Sequence, residues 1–216
     1  MADLFIDPLP LSRHLHDRTA PLILDLRDTQ DAVADPRLIP GARPATLTEV
    51  ATMALPDGPV ICSCQKGGKL SQLAAGLLQD RGRDARPLRG GHLAWVAQDL
   101  PLCAATPWPK QWVMPLDPDW GTLCAAWVLL RLVNRQATLV PVERAWISQA
   151  AAIWPAHLVP ADPQALADRA GLRHPVLARL SGGPERLLRG RLSRVGRPVL
   201  ALDLVDDWLA VPEVAA

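Results

Sequence analysis

Val60-Ile61-Cys62-Ser63-Cys64-Gln65-Lys66-Gly67-Gly68-Lys69-Leu70-Ser71 reads as an apolar strand that delivers a cysteine into a glycine-bearing loop, which then opens a helix. Gly67 and Gly68 allow backbone conformations closed to other residues, so successive N–H groups can converge and form an anion-binding concavity. A cysteine at a helix N-terminus and beside cations, here Lys66 and Lys69, has the surroundings in which a reactive thiolate forms. Cys62 stands two residues earlier. Strand alternation puts it on the same face as Cys64 but deeper, where it reads as a packed core residue.

Outward from this stretch, strand and helix signals alternate. Leu11 to Arg18 reads as a short first helix with Ser12 near its N-cap, followed by the apolar run Pro21–Leu26, which ends in charge at Asp25, Arg27 and Asp28. Thr46 and Glu49 have the spacing of a capping box for a helix from Leu47 to Met53. Beyond the cysteine loop the spacing predicts a helix from Leu70 to Asp80, with Leu73, Ala74, Leu77 and Leu78 on one face. A short strand over Arg86–Leu88 and a helix after Gly91 complete the pattern. Such alternation predicts an α/β fold, a parallel sheet with helices on both faces, and its reactive loop belongs at the carboxyl edge of the strands.

Four motifs follow one another in the first half: Asp25-Leu26-Arg27, Ile39-Pro40-Gly41-Ala42, the six-residue loop Cys64–Lys69, and Gly90-Gly91-His92-Leu93-Ala94-Trp95. Their order and spacing resemble the rhodanese family across about residues 8 to 103. The chain departs from the usual pattern at Gln65, where an Arg or another polar group commonly follows the cysteine, and at Leu38, where a His commonly stands. The resemblance implies a rhodanese-like sheet and Cys64 as the catalytic nucleophile. It also implies Gln65, Lys66, Gly67, Gly68 and Lys69 as the substrate-binding loop, and Asp25 as the residue that orders that loop. Arg27 either binds substrate or pairs structurally. Arg89 is a candidate for adding positive potential at the loop, and His92 for approaching it.

The chemistry implied is that of a sulfurtransferase. The Cys64 thiolate attacks the outer sulfur of an anionic donor such as thiosulfate, a persulfide forms, and a thiol or cyanide acceptor removes the sulfur. No cofactor and no metal are needed. Two other functions are compatible with the same residues: a redox or oxyanion sensor or interaction module without catalysis, and an arsenate reductase or phosphatase-like enzyme. The resemblance associates the latter with a longer loop, usually of about seven residues, which gives the larger anion room.

The whole chain sets bounds on partners. It has 216 residues, with 23 basic and 22 acidic, so no bulk field holds nucleic acid or anionic lipid. The four cysteines form neither a disulfide framework nor a metal-type pairing with histidines, which fits reduced thiols in a bacterial cytoplasm. The opening residues carry no basic stretch followed by an apolar one, so no signal peptide is expected, and the longest apolar run, Leu123–Leu130, is far too short to span a bilayer.

Residues 1–104 form the first expected domain, 105–111 a linker marked by Pro107-Trp108-Pro109, and 112–216 a smaller, mainly helical domain. In that last part a long apolar helix is expected over Trp120–Asn134 and a short strand over Ala137–Val140, followed by a helix start at Asp162-Pro163. Further helices are expected over Pro175–Leu180, Glu185–Arg194 and Val199–Val211. Trp112-Val113, Pro118, Trp127 with Arg131 four places on, and Ala137 resemble the C-terminal domain of bacterial chromate-resistance proteins. Where that family carries Lys, Asp, Arg and Cys, this chain has Asp119, Gly121, Thr122 and Ala125, which implies a shared fold with altered function. The helical half is then the part left for a protein partner or regulation.

Overall fold

Short apolar runs bounded by turns become parallel strands, and the helices between them bury one face each. A computed structural model describes residues 4–153, 157–195 and 198–211, and divides into two units, Met1–Ala105 and Thr106–Ala216. The first unit runs α1 (Pro8–Arg13), β1 (Leu22–Asp25), α2 (Thr29–Ala34), β2 (Arg37–Leu38), β3 (Ala42–Pro44), α3 (Leu47–Thr52), β4 (Val60–Ser63), α4 (Lys69–Asp80), β5 (Ala85–Pro87), α5 (Gly91–Ala97) and β6 (Cys103–Ala104).

Strands β3, β1, β4 and β5 lie side by side in that order, all parallel. Leu24 pairs with Cys62, and Asp25 with Ser63. One face of the sheet presents Leu24, Val60, Cys62 and Ala85 to Val50 of α3 and to Ala74, Ala75 and Leu78 of α4. Ile23 and Ile61 alternate to the other face, where Leu11 of α1 and Ile61 line one cavity of about 230 Å³. Helices therefore cover both faces of a parallel sheet, the architecture expected from the alternation.

Three local expectations change. Helix α1 begins at Pro8, whose missing N–H suits a first turn, and the Ser12 hydroxyl donates to the Leu9 carbonyl within the helix instead of capping it. Helix α4 buries Ser71, Ala74, Ala75 and Leu78, an i, i+3, i+4, i+7 stripe, while Leu73 turns outward and is 53% exposed. The small residues of that stripe let the helix approach the sheet closely. Strands β2 and β6 form an antiparallel ribbon, Leu38 opposite Cys103, in a region the sequence reading left without structure. The capping box is formed as expected: Glu49 N–H donates to Thr46 Oγ1 at 3.2 Å and Thr46 N–H to Glu49 Oε2 at 2.7 Å.

The second unit runs β7 (Gln111–Pro115), α6 (Trp120–Val128) with a π-helical extension over Leu129–Val133, β8 (Thr138–Val142), α7 (Ile147–Ile153), β9 (His157–Leu158), α8 (Pro163–Arg169), α9 (Glu185–Val195) and α10 (Asp203–Ala210). Most of it is helical, but its centre is a parallel sheet of order β8, β7, β9. Trp112, Val113 and Met114 of the middle strand are fully buried. Helix α6 is apolar on all sides because all but one of its residues are buried, Gly121 being the partly buried one. Among the described residues no helix is long and apolar enough to cross a membrane.

Candidate active site

The turn from β4 into α4 is held by its carbonyl groups, two bonded to α5 and two to α4 itself. The Cys64 carbonyl accepts the His92 N–H at 2.9 Å, and the Gln65 carbonyl accepts the Leu93 N–H at 3.0 Å, both from the start of α5. The Gly67 carbonyl accepts from Gln72 Nε2 at 3.4 Å. The Gly68 carbonyl accepts the Gln72 N–H at 3.2 Å and the Ser71 hydroxyl at 3.1 Å. None of the five successive backbone N–H groups from Gln65 to Lys69 donates to another group among the described residues. Four carbonyls of this loop are therefore bonded while its five amides are unpaired, Gly67 itself being buried; unpaired successive amides are the donors an anion-binding loop uses.

Glycine is required where the two turns meet. Gly67 (φ +63°) would drive a Cβ into the Leu88 carbonyl and the amides of Gly90 and Gly91, and Gly91 (φ +59°) would drive one into the Cys64 carbonyl and the Gly67 amide. The cysteine loop and the Gly90-Gly91 turn are thus in backbone contact, and the start of α5 is the outer wall of the loop.

Cys64 is 7% exposed, and its thiol donates to Ser71 Oγ at 3.3 Å. Ser71, fully buried on the first turn of α4, donates its own proton to the Gly68 carbonyl. Sequence reasoning missed this residue. The available signal was a small polar side chain one turn into the helix, on the stripe that also carries Ala74, Ala75 and Leu78. Burial pushes the Cys62, Cys103 and Cys124 thiols each up to about 12, so these three stay protonated and packed. Lys66 and Lys69 are exposed. Gln65 is half-buried, with its Oε1 enclosed and without a partner among the described residues.

Arg27 is taken up internally and does not reach the loop. Its Nε and Nη2 fork onto the Asp25 carboxylate at 2.8–3.1 Å, Nη1 donates to the Asp35 carbonyl at 2.7 Å, and Nη2 also donates to the Arg37 carbonyl at 2.8 Å. The side chain is 1% exposed, and its bonds are to Asp25, Asp35 and Arg37. Asp25 correspondingly holds Arg27, and through it the Asp35–Arg37 segment, and its carboxylate makes no bond to the cysteine loop among the described residues. Arg89 donates to Asp7 at 2.7 Å and stacks 5.0 Å from the Phe5 ring.

His92 links the two regions. Its backbone bonds Cys64, and its Nε2 lies 3.1 Å from Asp35 Oδ2. The Arg37 guanidinium holds the Asp35 carboxyl well below the usual carboxylate range, with help from His92. Burial pushes the His92 imidazole down, and the hydrogen bond to Asp35 opposes that in part. In the second unit, Trp127 Nε1 and Arg131 Nη2 converge on the Asp206 carboxylate at 2.7 and 2.8 Å. Cys124 faces the Leu180 carbonyl at 3.7 Å. Among the described residues no cluster of His, Cys, Asp or Glu could hold a metal ion.

No protein-family model matches the sequence, and no protein of curated function does. Solved structures do. A Lactobacillus plantarum protein is 25% identical, with 46% of this chain and 87% of that one covered, at a TM-score of 0.42. A rhodanese homolog from the extremely thermophilic bacterium Thermus thermophilus is 29% identical, with 42% of this chain and 99% of that one covered, at 0.35. A thiosulfate sulfurtransferase from Pseudomonas aeruginosa is 28% identical, with 45% of this chain and 19% of that one covered, at 0.40. The solved structures similar to this chain thus include rhodanese and rhodanese-related proteins, at low identity and over less than half of its length.

Proposed function

We propose that this protein is a rhodanese-type sulfurtransferase that carries sulfane sulfur on Cys64. The observation that supports this best is the asymmetry of the loop from Cys64 to Lys69. The carbonyls of Cys64, Gln65, Gly67 and Gly68 are bonded to α4 and α5 while the amides from Gln65 to Lys69 are unpaired, beside the thiol that Ser71 holds. In the first half-reaction the Cys64 thiolate attacks the outer sulfur of thiosulfate, the sulfur–sulfur bond of the donor breaks, and sulfite leaves with the electron pair. The product is a Cys64 persulfide anion, which the open amides are suited to hold. The Ser71 hydroxyl, free to rotate from the Gly68 carbonyl, supplies one more donor to sulfur. Lys66 and Lys69 attract the anionic donor, and Gln65 contacts it. In the second half-reaction a thiol or cyanide takes the outer sulfur and the electron pair returns to Cys64. No cofactor enters either step.

Thiosulfate and cyanide kinetics test this reading. A persulfide carrier gives ping-pong kinetics with one sulfite released per turnover, and Cys64→Ser has no activity. Intersecting lines that require both substrates to be bound together would contradict it.

For residues 112–216 the reading is a companion unit of the chromate-resistance type, with a packing role for the residues that carry that resemblance. Its support is the shared Asp206 carboxylate, which engages the two side chains, Trp127 and Arg131, on which the resemblance most depends. A cytoplasmic setting belongs to the same proposal, since a reduced environment keeps Cys64 available.

A further inference from the structure

The surface around the cysteine loop is both apolar and cationic. Only three lysines occur in the chain, and two of them, Lys66 and Lys69, stand exposed in this loop. Leu70 and Leu73, on the first turns of α4, are 37% and 53% exposed. Leu93, whose N–H holds the Gln65 carbonyl, is 45% exposed on α5. The same turns bury Ser71 and His92, so on both helices a large apolar side chain faces water while a polar one is enclosed. No Asp or Glu occurs from Gly58 to Gln79 or from Ala85 to Gln98, although the chain has 22 acidic residues. The two helices that meet at the loop therefore bring it no negative charge until the far end of α4.

A small inorganic anion uses amides and lysines and leaves three leucines without a purpose. We propose that this rim docks the sulfur acceptor, and that the acceptor is a protein thiol on an acidic, apolar surface segment; the proposal rests on the sulfurtransferase reading of Cys64. Carboxylates flanking the acceptor cysteine pair with Lys66 and Lys69 and raise the encounter rate, and apolar neighbours cover Leu70, Leu73 and Leu93. The acceptor thiolate attacks the outer sulfur of the Cys64 persulfide, that sulfur–sulfur bond breaks, and its electron pair returns to Cys64 as the acceptor leaves as a persulfide. One sulfur atom moves, and neither an oxidant nor a reductant is consumed. Two lysines are too few to hold an anionic lipid surface, which takes clusters of about 4–8 cations.

The full chain is loaded with thiosulfate, freed of excess donor and checked by intact mass. It is then mixed with three acceptors: a cysteine peptide flanked by leucines and glutamates, the same peptide with lysines for glutamates, and dithiothreitol. The acidic peptide is expected to discharge the persulfide at least about tenfold faster than the basic one, with the advantage fading at high salt. Leu70→Ser with Leu73→Ser is expected to slow the acidic peptide about tenfold while leaving loading and discharge by dithiothreitol unchanged. Equal rates for the two peptides, or a variant that slows dithiothreitol as much as the peptide, would overturn the docking proposal alone. Leucine-dependent binding to phosphatidylserine vesicles would overturn it in favour of a membrane surface. A chain that takes up no sulfur would overturn the sulfurtransferase reading and this proposal with it.

Discussion

Two of the chain's turns from a buried parallel strand into a helix, one in each unit, are finished in opposite ways. Between β7 and α6 the helix start is closed by the protein's own carboxylates. Asp119 accepts the Thr122 N–H at 2.8 Å, and Glu185 reaches from α9 to accept the Trp120 N–H at 2.8 Å. Between β4 and α4 the cap is Gly68, which has no side chain to bond, and the first turn contains no acid. Helix starts carry orphan donors and partial positive charge, which something must satisfy. The first turn is completed by the fold, whereas the second keeps its amides unpaired beside Cys64, which is where the proposed sulfurtransferase reading puts an anion. Each turn has its cysteine: Cys124 is fully enclosed on α6, and Cys64 stands at the head of the loop with the unpaired amides.

The largest effect expected from breaking this contrast comes from glycine. Gly91→Ala puts a methyl group against the Cys64 carbonyl in a left-handed conformation, so it should destabilise the first unit by about 3 kcal/mol or more and remove sulfur loading. Gly190→Ala, at an exposed position of helix α9 with nothing near its Cβ position, should instead stabilise the second unit by about 0.5–1 kcal/mol. Denaturant melts of both variants check this. A tolerated Gly91→Ala would mean that the two turns are not in the close contact described.

Next comes Asp206→Ala, which strips the shared acceptor from Trp127 and Arg131 and should cost about 2–3 kcal/mol in the second unit. Sulfur loading should be unchanged, because Cys64 lies in the other unit. A chain ending after Ala105 sharpens the same comparison, and is expected to fold and to load sulfur. Loss of loading in either variant would make the second unit part of the catalytic scaffold.

A smaller effect concerns pH. Burial keeps the His92 imidazole neutral below its ordinary value, so between the depressed folded value and about pH 6.5 the unfolded chain binds the extra proton. Stability should therefore fall as pH drops from about 6.5 into that window. His92→Asn, still able to donate to Asp35, should flatten this part of the stability curve. Parallel slopes in the two proteins would remove His92 from the linkage.

How much of this the sequence disclosed depends on how local each feature is. The cysteine strand, its loop and the Thr46–Glu49 capping box are written within a few residues, and the structure forms them there. The β2–β6 ribbon pairs two residues with two others more than sixty positions away, too short a segment to leave a periodic pattern. Strand β7 starts two residues after Pro109 and is followed by a turn, so its apolar run Trp112–Met114 did not stand apart from the linker. Strand β9 is only two residues long. Arg27 could be read as a charge at a strand end. Its turning inward depends on the carbonyls of Asp35 and Arg37, supplied by a segment whose path no local signal gives. The open amides were legible as Gly67 and Gly68. The tether that opens them, α5 bonding to Cys64 and Gln65, appears only once the Gly90-Gly91 turn is seen against the loop.

Intact mass after incubation with thiosulfate tests the central claim most directly, when the four single Cys→Ser variants are measured beside the parent chain. The account predicts the added mass of one sulfur atom on the parent and on Cys62→Ser, Cys103→Ser and Cys124→Ser, lost again on addition of cyanide, and no addition to Cys64→Ser. A sulfur adduct that persists in Cys64→Ser, or a parent chain that gains no sulfur, would contradict it.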